Sequence, residues 1–529
     1  MRKILPIVVT VLMFFEVQSN AQYKVPEVKS QPIKPFEDVE YKVEFQGALS
    51  NDKTPLWLNA NRYGLSSLDK TNGYLRGAIE RPISVDAEKK WGLGYGLDVA
   101  VPLHYTSKVV IQQAYVEGRW LHGVLSVGSK QYPMALKNDS LSSGSQTLGI
   151  NARPVPQVRL ALGDYWAIPL TKGWLHLKGH IAYGRMTDDN WQHDFTHKQS
   201  KYADGLLYHS KAGYLKIGNE ERFFPLSVEL GLEMVSVFGG TTYIPGEDGN
   251  VTTIKSKKGL KSFWNAFWPG GSDAGETTYQ NAEGNQFGSW VARINYDTEW
   301  WTLSAYADKY FEDHSAMLQL DYDGYGSGDE WEKKKDKKFL VYDFKDWMLG
   351  LEYNYKPDNW LNTIVAEFLY TKYQSGPIYH DHTKTIPDHI GGVDDFYNHG
   401  ISLGNQHWGQ VMGNPLYLSP IYNTDGEIYI KDNRFIAVHL GLAGHPSERF
   451  NYRILGTWQE GIGTYKIPYL DKHHNVSFLT EGSYHISSRS KWLDNTSITA
   501  GYGMDFGAIL GGINYGFQLT ITKRGILGK

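Results

Sequence analysis

Segments of two-residue alternation, joined by connections that are short and long in turn, restrict the architecture of this chain more than any other feature. In 301–310, Trp301, Leu303, Ala305 and Ala307 share one face, while Thr302, Ser304, Tyr306 and Asp308 share the other. In the last such segment, Ile513, Tyr515, Phe517, Leu519 and Ile521 stand opposite Asn514, Gln518, Thr520 and Thr522. Successive side chains on a strand point to opposite faces, so these are strands with one apolar and one polar side. About 18 strand-like stretches recur between Tyr41 and Thr522. The short connections include 297–299, 356–359 and 446–448; the long ones are 239–286, 312–337 and 373–433. A soluble sandwich would alternate too, but it has no reason to keep that parity. With the N-terminus in the periplasm, every short connection named falls inside and every long one outside, the asymmetry of an outer-membrane barrel. Tyr296, Trp300, Trp301, Tyr355, Trp360 and Phe450 flank the short turns. An interfacial girdle belongs there, although aromatics favour strands in any case. A sheet facing lipid must close, because open edges leave backbone groups unpaired in hydrocarbon. The expected fold is therefore all-β: a closed antiparallel outer-membrane β-barrel of about 18 strands with short periplasmic turns and long extracellular loops.

The N-terminus carries an address. Arg2 and Lys3 precede an apolar run, Ile4–Phe15, and small residues at Ser19-Asn20-Ala21 suit a signal peptidase. Residues 1–21 read as a signal peptide that directs export to the bacterial outer membrane. Residues 22–40, with prolines at 26, 32 and 35, read as a periplasmic leader, and 41–529 as the barrel with its outer loops. The chain has no cysteine, which excludes a disulfide scaffold and a thiolate metal site. Beyond the signal peptide no run of 18 apolar residues occurs, so no spanning helix is expected. A net charge of −4 argues against a nucleic-acid partner. The chain is expected to act as a monomer.

Between two cleanly alternating segments lies Gly376–Leu416, rich in Gly, His, Asp and aromatics and without any period. Loops this long are usually functional. His380, His382, His389 and His399 lie near Asp381, Asp388, Asp394 and Asp395. Such groups can bind transition metals, but a loop packed by its own hydrogen bonds has the same composition, and no metal site or cofactor is expected. Asp394 and Asp395 could be paired glycosidase carboxylates, yet neighbours on an extended chain point apart. No P-loop, GxSxG elbow or HExxH is present, and the chain is not expected to be an enzyme. Trp264, Phe267, Trp268, Tyr397 and Trp408 fall in outer loops, where flat rings could stack on sugars or pack the barrel mouth. Arg153 either meets an anionic ligand group or locks its loop through an ion pair. Lysines at 255, 257, 258 and 261, and at 333–335, 337 and 338, make two loops basic. They could attract an anionic polymer or lipopolysaccharide phosphates, or be plain solvated charge. Asp98, Arg293, Glu352, Glu367, Arg453 and Glu481 fall on lumen faces; crowded pairs there would plug the barrel and sparse ones would conduct.

Four stretches resemble the capsule-assembly Wzi family of outer-membrane proteins in its Bacteroidetes version: Thr54–Gly64 (TPLWLNANRYG), Thr147–Pro169 (TLGINARPVPQVRLALGDYWAIP), Asp394–Gly400 (DDFYNHG) and Gly413–Leu416 (GNPL). The resemblance implies an 18-stranded barrel acting as a lectin that helps organise capsular polysaccharide. On this reading the partners are capsular or surface polysaccharide, outer-membrane lipid and lipopolysaccharide, and the candidate glycan-binding residues are Arg153, Trp264, Trp268, Asp394, Asp395, Tyr397, His399 and Trp408. The alternative is a porin or transport channel for small solutes or oligosaccharides.

Overall fold

The computed structural model describes residues 32–219, 222, 224–268, 284–312, 320–321, 326–333, 340–341, 345–379, 390–490 and 492–528. The signal peptide and the first part of the leader lie outside this set. Eighteen strands form one antiparallel sheet. In chain order these are β1 (Glu40–Ser50), β2 (Thr71–Arg81), β3 (Trp91–Leu103), β4 (Val110–Trp120), β5 (Gly123–Ser129), β6 (Gln157–Ala167), β7 (Leu175–Arg185), β8 (Leu207–Ile217) and β9 (Leu226–Phe238). The second half comprises β10 (Asn285–Asp297), β11 (Trp301–Glu312), β12 (Trp347–Tyr355), β13 (Thr363–Tyr370), β14 (Phe435–Ser447), β15 (Phe450–Gly463), β16 (Pro468–Ile486), β17 (Thr496–Gly507) and β18 (Gly512–Ile526). Each strand pairs with its successor, and β1 pairs with β18 from Glu40 opposite Ile526 to Ser50 opposite Gly516. The sheet is therefore a closed cylinder, which leaves it no open edge.

All eighteen stretches expected from alternation correspond to wall strands. The largest departure is at Lys338–Tyr355, which reads in sequence as one strand but whose wall strand begins only at Trp347. Within the lysine-rich part, Leu340–Val341 pairs with Leu320–Asp321 instead, outside the wall. The parity of the connections also holds. Turns such as 121–122, 298–300 and 448–449 join strands at one end, while 51–70, 130–156, 186–206, 239–284, 313–346 and 371–434 lie at the other.

The exterior is greasy and the interior polar, by the alternation that the sequence shows. On β18, Ile513 and Phe517 are 57% and 61% exposed, whereas Asn514 is 2% exposed. Around the short-turn end, exposed and half-buried rings form a girdle: Trp91 stacks on Trp120 at 6.0 Å, and Tyr296 on Trp301 at 5.7 Å. A closed barrel with this belt resides in a bacterial outer membrane. Inside, the lumen charges pair. Arg76 holds Asp98 at 2.7 and 2.6 Å, Arg293 meets Glu352 at 2.9 Å, and Arg453 meets Glu481 at 2.9 Å.

Candidate functional site

Three of the long outer connections turn inward and fill the lumen. The 130–156 loop runs across it against the carboxylates of the wall. Lys137 meets Asp308 of β11 at 2.6 Å, and Asn138 donates to Glu352 of β12 at 3.1 Å. The Ser142 hydroxyl and the Ser143 N–H donate to Glu367 of β13 at 2.5 and 2.8 Å, and the Gln146 N–H donates to Asp308 at 3.0 Å. The segment Ser140–Thr147 has the look of a solvent loop. It can leave water because the wall carboxylates accept its donors. The 51–70 loop contributes a single helical turn, α1 (Leu56–Asn59). The Leu56 N–H donates to Asp505 of β17 at 2.9 Å, the Trp57 indole to Thr457 of β15 at 3.0 Å, and Arg62 to Glu481 of β16 at 3.0 Å.

These loops are knitted to each other and to 371–434. Tyr63 and Gly64 donate their N–H groups to the carbonyls of Ile150 and Asn151 at 2.7 and 2.8 Å, and Gly149 donates to Met412 at 3.1 Å. Asn414 donates to the Gly144 carbonyl at 2.9 Å. Gly64 has φ +69°, and a Cβ there would lie 2.5 Å from the Arg153 nitrogen. A Cβ on Gly149 would lie 2.7 Å from the carbonyl oxygens of both Met412 and Gly413. Leu56, Trp57, Leu141, Phe396, Leu416 and Ile430 form one apolar core within the lumen. Three of the four motif stretches, together with the 147–156 part of the fourth, thus meet inside the barrel as parts of one plug, while the rest of that fourth stretch runs on into wall strand β6.

The expected site residues divide accordingly. Tyr397 is 0% exposed and has no surface to offer a sugar. Its ring stacks on Tyr417 at 3.9 Å, and its hydroxyl donates to the Gln146 carbonyl and accepts from the Asn414 N–H at 2.9 Å. Asp395 accepts from Tyr429, Asn433 and Asn398 at 2.8, 2.7 and 3.1 Å, and Asp394 donates its backbone N–H to Gln374 at 2.8 Å. The Nδ1 of His399 accepts from Ile401 and Ser402 at 3.1 and 2.8 Å, and burial, assisted by Lys201, lowers its pKa to about 4. Arg153 locks its loop, but not by the ion pair foreseen. Its guanidinium lies 4.0 Å over the half-buried Trp408 ring and donates to Ser107 and Thr106 at 2.9 and 3.0 Å. Burial pushes its pKa down to about 10. Its carbonyl accepts from His407 at 2.8 Å, a residue that no sequence signal singled out. Trp264 lies away from the plug, on a helix against the wall, and Trp268 directly follows that helix. His380, Asp381, His382, Asp388 and His389 lie outside the described residues.

Beneath the plug, between the 130–156 loop and the β4–β8 side of the wall, is a cavity of about 340 Å³ that reaches Ile83 at the periplasmic turn. Lys130, Arg153, Arg159, Lys178 and His180 line it, against one carboxylate, Glu117. Lys130 holds that carboxylate at 2.6 and 2.7 Å. Arg159 lies 3.9 Å over the Tyr132 ring, and its Nε has no hydrogen-bond partner among the described residues. A cationic, tyrosine-walled cavity of this size suits a small anionic ligand with flat apolar faces. The sequence did carry a signal, since Arg159 and Lys178 sit at lumen positions of β6 and β7.

The chain is similar to several solved barrels. One is Wzi, a carbohydrate-binding β-barrel and outer-membrane protein involved in group 1 capsule assembly in Escherichia coli, at 12% identity and a TM-score of 0.49, covering 91% of this chain and 83% of that one. OprD of Pseudomonas aeruginosa is 9% identical with a TM-score of 0.44, over 93% of this chain and 96% of that one. OccK2 of Pseudomonas aeruginosa, solved in complex with glucuronate, is 9% identical with a TM-score of 0.44, over 93% and 98%. No protein-family model and no curated protein matches the chain. At these identities and scores the likenesses carry no functional argument.

Proposed function

We propose that this outer-membrane barrel binds surface or capsular polysaccharide without chemically altering it, as a Wzi-type lectin, and that the cationic cavity holds an acidic sugar residue. The observation that carries the reading is the filled lumen. Three loops occupy the cross-section with buried, mutually hydrogen-bonded residues, which opposes free diffusion and leaves binding as the use of the interior. The motif stretches support it, because Thr54–Gly64, Asp394–Gly400, Gly413–Leu416 and the 147–156 part of Thr147–Pro169 contribute to that plug. In the cavity, Arg159, braced over the Tyr132 ring, and Lys178 pair with a carboxylate.

Two measurements test this. In planar bilayers the purified protein stays silent; sustained open-channel steps would favour a porin. On immobilised polysaccharides, Arg159→Ala combined with Lys178→Ala weakens retention of a uronate-containing glycan by about tenfold or more and leaves a neutral glycan unchanged. Equal loss for both glycans, or none for either, removes the cavity from the mechanism. Unchanged capsule retention in a strain lacking the protein overturns the capsule role.

A further inference from the structure

The loop 239–284 carries a helix, α2 (Leu260–Phe267), and its contacts place it outside the barrel. The Tyr183 hydroxyl of β7 donates to the Phe263 carbonyl at 2.8 Å, and their rings lie 5.3 Å apart. His209 of β8 meets the Phe267 ring at 6.0 Å, Phe238 of β9 meets Phe263 at 5.3 Å, and Gln286 of β10 donates to the Asn265 carbonyl at 3.4 Å. Each of these wall residues has the parity of its strand's membrane-facing side. Ile181 and Leu230, on the same faces of β7 and β9 but further from the outer rim, are exposed, whereas Phe238 and His209 are buried. The helix therefore covers the lipid side of the wall immediately beyond the apolar belt.

Its own outward face is apolar. Ser262 and Ala266 are buried against the barrel, while Leu260, Trp264 and Trp268, spaced four apart and so stacked along one face, are 91%, 61% and 66% exposed. Lys255, Lys257, Lys258 and Lys261 beside them are exposed and form no ion pair among the described residues. The facing chemistry is the outer leaflet: acyl chains at the level of the belt and phosphate groups just above it.

We propose that α2 is an interfacial anchor. Leu260, Trp264 and Trp268 insert at the acyl boundary of the outer leaflet, and Lys257, Lys258 and Lys261 bind the phosphates of its anionic glycolipid. Tryptophan suits this depth because its ring is apolar and its N–H polar, and lysines reach the headgroups from an apolar stem. The inference stands apart from the polysaccharide reading, which concerns the lumen. It reassigns both tryptophans from sugar platforms to lipid contacts.

The absence of native cysteine makes the test direct. Full-length protein carrying Trp264→Cys, or as control Thr252→Cys on the hairpin that Thr241–Pro245 and Val251–Lys255 form in the same loop, is labelled with a fluorophore and reconstituted into phosphatidylcholine vesicles that contain a quencher in the acyl chains. The label at 264 is quenched at least about threefold more than that at 252 if the helix lies at the interface. In vesicles containing lipopolysaccharide, replacing Lys257, Lys258 and Lys261 by Gln lowers retention of phosphorylated glycolipid by up to about a hundredfold and spares the dephosphorylated form. Equal quenching at the two sites overturns the proposal, as does protection of the 264 label by soluble polysaccharide and not by lipid; the latter would restore a sugar platform.

Discussion

Tyr397 is the residue on which the plug can be unlatched. Its ring has no exposure, stacks on Tyr417 at 3.9 Å and meets Tyr310 at 5.1 Å, and its hydroxyl joins Gln146 of one loop to Asn414 of another. Tyr397→Ala removes the ring, at a cost of about 3–5 kcal/mol. It also leaves the buried Asn414 N–H without its acceptor, a cost of about 1–3 kcal/mol if water cannot enter. The wall loses the edge contact with Tyr310 of β11 but keeps its ladders, because Tyr397 and Tyr417 are both loop residues. Taking about 4 kcal/mol as the loss of plug docking, the undocked population rises nearly a thousandfold. Two assays report it. Planar bilayers that are silent with the wild type show intermittent conductance steps with the variant. Trypsin begins to cut after Lys137, which is sealed in the wild type by its contact with Asp308. If the variant keeps an intact barrel by its heat-modifiable electrophoretic migration, yet remains silent and uncut at Lys137, these rings do not hold the lumen shut.

Gly413→Ala perturbs the same junction by overfilling it. The new Cβ would sit 2.0 Å from the Tyr397 hydroxyl and 2.3 Å from the Gln146 carbonyl, so docking weakens by at least about 1–3 kcal/mol. Faster loop proteolysis with an unchanged barrel melt is the expected result, and unchanged proteolysis the refuting one. His407, like His399, is expected to make the plug acid-sensitive. Burial holds its pKa at about 4, below the unfolded value of about 6.5. Its contribution is complete above pH 6.5 and is lost as pH falls from there toward 4. Asp432, raised by burial to about 7, acts in the opposite sense, losing its contribution as pH rises from about 3.8 to 7. His407→Gln should therefore flatten the acid-induced rise in proteolysis between pH 6.5 and 4; an unchanged slope would show that His407 does not couple protons to the plug.

The wall was legible in the sequence because lipid on one side and a packed lumen on the other impose a strict period of two. Ile513 to Ile521 could be placed on the outside without coordinates, and the parity of connections put 239–286 and 373–433 at the same end. The plug was not legible as a plug. Its packing is irregular, so Phe396, Leu403, Val411 and Leu416 follow no period, and Ser140–Thr147 reads as a solvent loop until Glu367 and Asp308 are seen to accept its donors. The loop 376–416 was recognised as special, but composition cannot say whether such a loop faces outward or in. Tyr397 and Asp395 stood out as candidates for binding because a tightly packed polar core draws on the same residue types as a ligand site. The anchor helix was within reach: Leu260, Trp264 and Trp268 at four-residue spacing is a helical stripe, obscured by reading its rings one at a time.

The inward turn of 51–70 has a mechanical consequence. The cylinder is sewn shut where its first and last strands meet, and a sheet of this kind is weakest against sideways parting at that join. Trp57, Leu56 and Arg62 reach past it from the first loop to Thr457, Asp505 and Glu481, bolting the opening segment to three of the four final strands from within. Parting the first and last strands would therefore also have to tear an indole and a backbone amide from buried partners and a guanidinium from a half-buried one. Parting at the seam is thus opposed on the inner face as well as along the ladder.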